Sequence, residues 1–378
     1  MAAEISERLL NDLNSQIDDF LCRALRGEPA LWPALNPVPD PDVFLIRCQH
    51  QGVTSLLYHG MREKEEWLGW PAEICTVMED ASKGQVAQEM LRAHYLRKLL
   101  KGFSDAAIPH LLTKGEALAN TIYPIPGTRT RADSDVFIAI EDIGKARQAI
   151  IDNDFRIVSP IYKSHQFVVR QAKEATVSFD IDVHWRILNA PQFARTLSFA
   201  EAYGQSVEVP GMHSVRTLGR VDSLLLACMH RAGSDWHDRD RLIWIYDMHL
   251  LVAVMAPAEL AAFAEKAVNH NVQAVCLDGL NRTSEFFGTL FPKSIAARLA
   301  APEIRGLATR FVRSNLALLI DDWRALPDSH ARMSLLHELF LPNNEALLHK
   351  YHKQKRWWLP LLYLRHVLGG ITHRITLK

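Results

Sequence analysis

Two short segments in the middle of the chain combine acidic side chains with the alternating pattern of a β-strand. The segment 133–138 opens with an Asp-x-Asp pair and continues as an apolar run, so both carboxylates fall on one face of the predicted strand. The segment 179–185 alternates between apolar residues and the polar residues Asp180, Asp182 and His184. The pattern constrains the chain to a fold in which two acidic strands share the polar face of a small sheet.

The side chains around the first acidic pair predict a magnesium and triphosphate site. Placing Asp133 beside Asp135 costs free energy unless a cation neutralises them, and Mg²⁺ prefers carboxylate and phosphate oxygens. Arg129 and Arg131 lie just upstream, and Lys114 precedes them in the chain. Their positive charges offset the charge of a nucleoside triphosphate, and guanidinium groups suit phosphate oxygens.

In this order the motifs resemble the uncharacterised nucleotidyltransferases of the DNA polymerase beta superfamily. The resemblance is carried by Lys114-Gly115, by arginines before an Asp-x-Asp pair, and by the later Asp182-Val183-His184-Trp185, and it spans roughly 108–250. It implies a small mixed sheet carrying three acids, which hold two Mg²⁺ ions. It also implies transfer of a nucleoside monophosphate from a triphosphate such as ATP to a hydroxyl, with release of pyrophosphate.

Carried over residue by residue, the resemblance implies that Asp133 and Asp135 are the metal-binding pair and that Asp182 is the third catalytic acid. Asp180 lies on the same face one pleat away, so it is the alternative third carboxylate. His184 is predicted either to contact a phosphate or orient an acid, or to be a hydrogen-bonded polar residue at the edge of the site.

The start of the site departs from the superfamily pattern, which has Gly-Ser or Gly-Gly-Ser where this chain has Lys114-Gly115-Glu116. Gly115 permits a close approach of the backbone to phosphate, and a helix after it directs N-terminal amides at an anion. The sequence assigns no role to Glu116. The predicted nucleotide-binding residues are Lys114, Gly115, Arg129, Arg131 and His184.

Helical spacing of apolar residues before and after the predicted sheet gives the domain organisation. Residues 1–104 are predicted to form an N-terminal helical region with a long helix from about 73 to 100, after a proline-rich loop at 29–41. Residues 105–215 are predicted to be the nucleotidyltransferase core and 216–378 a C-terminal helical domain. The fold class is therefore α+β, a small mixed sheet flanked by helices.

Four residues of the C-terminal region are candidates to bind base, sugar or acceptor, or else to pack in the helical bundle: His230, Trp236, Arg239 and Asp247. Near the C-terminus, the basic segment 349–356 precedes Trp357-Trp358. This pattern is typical of weak contact with a membrane interface or a partner, and equally of a terminal helix docked on the core. Its apolar run is too short to span a bilayer.

Overall composition agrees with a soluble enzyme but does not select one function. Lys+Arg and Asp+Glu are both 43, so the net charge is zero and the whole surface is not built to hold nucleic acid. The five cysteines are odd in number and lack metal-ligand spacing, which indicates a reducing cytoplasm. The acidic N-terminus does not resemble a signal peptide.

Two other functions stay open at this point. A metal-dependent phosphohydrolase would use His184, His230 and the pair His237-Asp238 as ligands, but it leaves the acidic pair unexplained. An inactive module of the same fold would bind nucleotide or a partner without turnover. For a transferase, the sequence leaves the base and the oligomeric state open. It also does not select among a small hydroxylated molecule, an RNA 3′ end and a protein or peptide side chain as acceptor.

Overall fold

The computed structural model describes residues 2–32, 39–159, 165–172, 178–212, 214–233, 240–302 and 355–366, with scattered positions from 320 to 351. These residues form a mixed seven-stranded sheet flanked by helices, which confirms the predicted α+β class. Part of the predicted proline-rich loop, residues 33–38, lies outside the described residues.

The helices that precede the sheet are α1 (Ala2–Leu25), α2 (Pro41–Gln51), α3 (Thr54–Met61) and α4 (Ala72–Asp105). The predicted long helix is confirmed in α4, which runs for 34 residues. Aromatic side chains hold the shorter helices together: Trp32 lies 4.9 Å from Phe44 and 5.3 Å from Trp70, between ring centroids. Buried aromatic groups of this size supply much of the hydrophobic stabilisation.

The sheet contains β1 (His110–Thr113), β2 (Asp133–Ile138), β3 (Phe155–Ser159), β4 (Gln166–Gln171), β5 (Asp180–His184), β6 (Val207–Glu208) and β7 (Arg216–Thr217). Their order across the sheet is β3-β4-β5-β2-β1-β7-β6. Helix α5 (Lys114–Thr121) follows β1 directly, and α6 (Ile143–Asp152) connects β2 to β3. The two acidic strands β2 and β5 are therefore neighbours at the centre of the sheet.

The pairing of these two strands fixes which acids meet. β2 and β5 are parallel, with Asp133 opposite Asp180 and Asp135 opposite Asp182. Residues opposite one another in a sheet project from the same face. All four carboxylates therefore lie on one face of the sheet, as the alternation predicted.

The described residues after β5 include the helices α7 (Phe199–Gly204), α8 (Arg220–Gly233), α9 (Leu242–Val254), α10 (Pro257–Asn269), α11 (Gln273–Phe287) and α12 (Lys293–Leu299). One hydrophobic cluster contains side chains of the five helices α8 through α12, of the N-terminal helices and of Phe137 in β2. A second lies against the opposite face, where Val136 and Ile138 meet α4 and α6. The acids share the face of Phe137, so the C-terminal helices lie on the same side as the site. The domain boundaries at 104 and 215 stay predictions.

Near the C-terminus, residues 359–366 are helical, with Leu362 buried while Trp357 and Leu361 are more than half exposed. Most of the basic segment, residues 349–350 and 352–354, lies outside the described residues, so contact with a membrane or partner stays a prediction. None of the described helices is both long and apolar enough to cross a bilayer. The structure describes all five cysteines, and none of them is in a disulfide.

Candidate active site

Two carboxylates and one imidazole converge where β2 and β5 lie side by side. Ligand atoms of Asp135, Asp182 and His184 all lie within 4.8 Å of one another. His184 Nε2 is 2.8 Å from Asp135 Oδ1, and Gln166 Nε2 donates to Asp182 Oδ2 at 2.7 Å. This donor set fits a divalent cation, since carboxylate oxygens and imidazole nitrogen are common ligands of such ions.

The other two acids on this face have different surroundings. Asp180 forms an ion pair with Arg170, whose Nη2 donates to its Oδ2 at 3.0 Å. Asp133 lies at the edge of the group, and its pKa is raised by the charge of Asp135 and by burial. Because Asp180 already has a cationic partner, the geometry favours Asp182 as the third acid. The catalytic roles of these acids stay predictions.

Lys114 lies at the junction of β1 and α5 in a conformation that is rare for a residue with a side chain. Its φ is 53°, in the left-handed region. Its ammonium Nζ is 2.6 Å from Asp135 Oδ1. Burial by itself would lower the pKa of Lys114, but the nearby carboxylates of Asp135 and Asp133 outweigh this effect and raise it. The side chain therefore keeps its positive charge next to the acids.

The two central acids have pKa values shifted in opposite directions. Burial by itself would raise the pKa of Asp135, but Lys114 and the hydrogen bond from His184 outweigh it and hold that pKa well below its usual range. Burial, together with the charges of Asp135 and Asp133, raises the pKa of Asp182 to about 7. The cluster thus holds more negative charge than Lys114 balances, and a bound cation would relieve it.

Arg129 is held by a buried carboxylate of α9. Its Nε and Nη2 donate to the two oxygens of Asp247 at 2.9 and 2.6 Å, and the hydroxyl of Tyr123 donates to the same carboxylate at 2.7 Å. A Cβ at Gly115 would lie 3.3 Å from the guanidinium carbon, so a glycine there makes room for the arginine. The sequence predicted that the guanidinium of Arg129 binds phosphate, but in the structure it is paired with Asp247. Contact of Arg129 and Gly115 with a nucleotide stays a prediction.

Arg131 is paired in the same way, with carboxylates of α4 and α5. Its Nη2 is 2.6 Å from Glu89 and its Nε is 2.8 Å from Glu116. Glu116 also accepts from the hydroxyl of Ser134 at 3.2 Å. Glu116, which had no role from the sequence, therefore ties the first turn of α5 to the loop and strand that carry the acids.

Helix α4 contributes a residue that the sequence reasoning missed. Arg92 Nη1 donates to the carbonyl of Ala132 at 2.7 Å and its Nη2 to that of Arg131 at 3.2 Å. These are the last two carbonyls before β2. Arg92 and Glu89 are both buried and lie three residues apart on α4. The only sequence signal was this oppositely charged i, i+3 pair within a predicted amphipathic helix.

A cavity of about 410 Å³ adjoins the acids and is bounded by the β1–α5 junction, the loop 129–133, α8 and α9. Lys114, Asp133 and Asp135 lie on one wall. His230 and Trp244 also line the cavity and pack edge-on against each other, with 4.9 Å between ring centroids. Burial lowers the pKa of His230 to about 3, which keeps the imidazole neutral.

The other predicted residues of the C-terminal region have mixed outcomes. Asp247 lines this cavity together with His230, Arg129 and Arg131. Trp236 and Arg239 lie outside the described residues, as does the His237-Asp238 pair of the phosphohydrolase alternative. Among the described residues, the potential metal ligands gather at Asp135, Asp182 and His184.

Comparison with known proteins agrees with this geometry. The sequence profile of a family described as uncharacterised nucleotidyltransferases matches residues 37–288, about two thirds of the chain. The match extends on both sides of the predicted 108–250 and includes α4, which holds the loop before β2. No curated protein matched the chain. The chain therefore belongs to the uncharacterised nucleotidyltransferase family and is a transferase.

Proposed function

We propose that the chain transfers a nucleoside monophosphate from a nucleoside triphosphate to a hydroxyl group, with Asp133, Asp135 and Asp182 as its catalytic acids. The observation that carries the proposal is the parallel pairing of β2 with β5, which sets Asp135 opposite Asp182. Lys114 adds a positive charge on the same carboxylate. Two convergent acids beside a cation suit the transfer of a charged phosphoryl group, because such catalysis is mostly positioning and electrostatic stabilisation.

Divalent metal, expected from the family resemblance to be two Mg²⁺ ions, would be held by these acids. When bound, the metal would supply charge stabilisation at the phosphate oxygens and lower the pKa of the acceptor hydroxyl. Asp182, a carboxylate beside the bound metal, is proposed to accept the proton of the hydroxyl. The hydroxyl oxygen forms a bond to the α-phosphorus as the bond to pyrophosphate breaks.

The cavity beside the acids supports the assignment of the triphosphate donor. Lys114 is on its wall and has a flexible side chain, so its ammonium can move from Asp135 to a phosphate oxygen. Arg129 and Arg131 also line the cavity, and we propose that they add positive potential there while holding the loop in place. The donor is proposed to be a nucleoside triphosphate such as ATP, and its base is left to the experiment. The wall at His230 and Trp244 is suited to a flat base.

The test is to incubate the protein with each α-labelled nucleoside triphosphate, Mg²⁺ or Mn²⁺ and cell extract, and to identify what gains the label. The labelled product then identifies the acceptor as a small hydroxylated molecule, an RNA end or a protein or peptide side chain. Asp135→Asn is expected to abolish labelling. Asp180→Asn is the matched control on the same face, since Asp180 is paired with Arg170. Equal labelling by wild type and Asp135→Asn would contradict the proposal.

A further inference from the structure

The imidazole of His184 lies close enough to Asp135 and Asp182 to bind the same ion as their carboxylates. It lies two residues after Asp182 on β5, so the two side chains project from the same face of the strand. Its Nε2 is directed at Asp135 Oδ1, at 2.8 Å. The nitrogen and the oxygens of both acids are therefore within reach of a single ion.

The state of the imidazole supports this assignment. His184 is 2% exposed, and its Nδ1 has no hydrogen-bond partner among the described residues. Nε2 is the ring nitrogen that lies against Asp135, so an ion bound there would take the lone pair of Nε2 while Nδ1 carries the ring proton.

The acids leave room for an ion. Gln166 binds Oδ2 of Asp182, which leaves Oδ1 without a hydrogen bond in the part of the chain that the structure describes. On Asp135, the same Oδ1 receives both Lys114 and His184. An ion bound here would lie between Asp135 Oδ1 and His184 Nε2 and would bind both atoms in place of their present contact.

We propose that Asp135, Asp182 and His184 hold one divalent ion that accepts nitrogen as well as oxygen donors, and that this site prefers Mn²⁺ to Mg²⁺. The inference deepens the proposed transfer and rests on it for the use of the ion. Mg²⁺ favours sites made of oxygen atoms, whereas later first-row ions bind imidazole increasingly well. The single nitrogen therefore shifts the preference of this site away from Mg²⁺.

The test uses the full chain, freed of metal with a chelator, and Mn²⁺ as the probe. Electron paramagnetic resonance titration counts bound Mn²⁺, and pulsed echo-envelope measurements detect a nitrogen bound directly to it. We expect one tight Mn²⁺ with a nitrogen coupling, and competition by Mg²⁺ that is at least about tenfold weaker. The coupling is expected to change when ¹⁵N-histidine is incorporated.

Two variants separate the ligand from its surroundings. His184→Gln is expected to remove the nitrogen coupling and most of the preference for Mn²⁺, whereas Asp180→Asn is expected to keep both. The wild-type spectrum decides the question even if His184→Gln does not fold. A wild-type ion bound by oxygen alone, no Mn²⁺ binding, or equal affinity for the two metals would overturn the inference.

The outcomes also separate this inference from the proposed function. Label transfer by a protein whose Mn²⁺ shows oxygen ligands only would overturn the inference and leave the transfer standing. A nitrogen-bound Mn²⁺ in a protein that transfers no label with any triphosphate would support the site and contradict the proposed transfer.

Discussion

The acid cluster and the arginine loop next to it use the same kinds of charged residue in opposite ways. In the loop, Arg129 is paired with Asp247, and Arg131 with Glu89 and Glu116. In the cluster, Asp135 and Asp182 lie opposite each other with Lys114 as the nearby cation. Charges that are balanced within the protein hold its shape, whereas an excess of one sign is available to bind an ion.

This difference explains why the arginines are not free to act as simple phosphate ligands. A buried ion pair that loses one partner leaves an uncompensated charge, which destabilises a protein by roughly 3–5 kcal/mol. Arg129 and Asp247 are each about 5% exposed in their side chains. Their first task is therefore to join the loop before β2 to α9, and any contact with nucleotide is made from that fixed position.

The largest effect is expected from removing a charge of the acid cluster. Asp135→Asn should lower label transfer by at least about 10³-fold, because a ligand of the metal and the partner of Lys114 is lost. The measurement is the initial rate of transfer from α-labelled triphosphate. Thermal unfolding should show that the variant is folded. A variant with more than a tenth of the wild-type rate would contradict the assignment.

The next effect is on stability rather than on chemistry. Asp247→Asn leaves Arg129 buried without its carboxylate, so the free energy of unfolding should fall by about 3 kcal/mol. Urea denaturation monitored by circular dichroism measures it. Asp180→Asn removes an ion pair that is more exposed and should cost less than about 1 kcal/mol. Equal losses in the two variants would erase the distinction between the two regions.

A smaller effect of opposite sign is expected for Asp182→Asn in metal-free protein. The pKa of Asp182 is raised from 3.8 to about 7, so the folded state binds the proton more tightly than the unfolded state. Stability from this group is then present at acidic pH and is lost as pH rises toward 7. At pH 8 the variant should be more stable than wild type, because it has no buried charge at this position. We expect a difference of about 2 kcal/mol, less than the full pKa shift would give, since the carboxyl is partly exposed to solvent.

The control for this prediction is pH itself. At pH 5 Asp182 is mostly protonated in the folded protein, so the stabilisation by Asp182→Asn should be smaller than at pH 8. Unfolding curves at both values, with chelator present, make the comparison. A stabilisation of the same size at both pH values, or none at pH 8, would show that the surroundings do not destabilise the charged carboxylate of Asp182.

The smallest effect is expected at Arg92. Arg92→Lys loses the two-pronged contact with the carbonyls of Ala132 and Arg131, which should cost about 1 kcal/mol of stability and roughly tenfold in transfer rate. The variant keeps its positive charge, so a change in rate reports the position of the loop. A rate equal to wild type would mean that α4 does not position the acids.

The local part of this site could be predicted from the sequence. Alternation in β2 and β5 fixed the face on which Asp135, Asp182 and His184 lie, because a strand has a period of two residues. The long helix α4 was predicted from its apolar spacing. The order of the motifs along the chain indicated the family, and its profile confirms that membership.

The partners of the arginines could not be predicted in this way. Arg129 meets Asp247 across 118 residues of sequence, and Arg131 meets Glu89 from a helix that precedes the sheet. Such pairs depend on how α4 and α9 pack around the sheet, and no local pattern encodes that. Positive residues before an acidic pair favoured a phosphate contact, yet the fold had already supplied carboxylates for them.

The central claim is that Asp135 and Asp182 hold a divalent ion against the phosphates of a triphosphate. The most direct measurement is a crystal structure of the full chain with Mn²⁺ and a non-hydrolysable triphosphate, with the ion located by anomalous scattering. The account predicts an ion bound to both carboxylates, with the phosphates in the adjoining cavity near Lys114. An ion or triphosphate bound elsewhere, with Asp135 still held by Lys114, would contradict it.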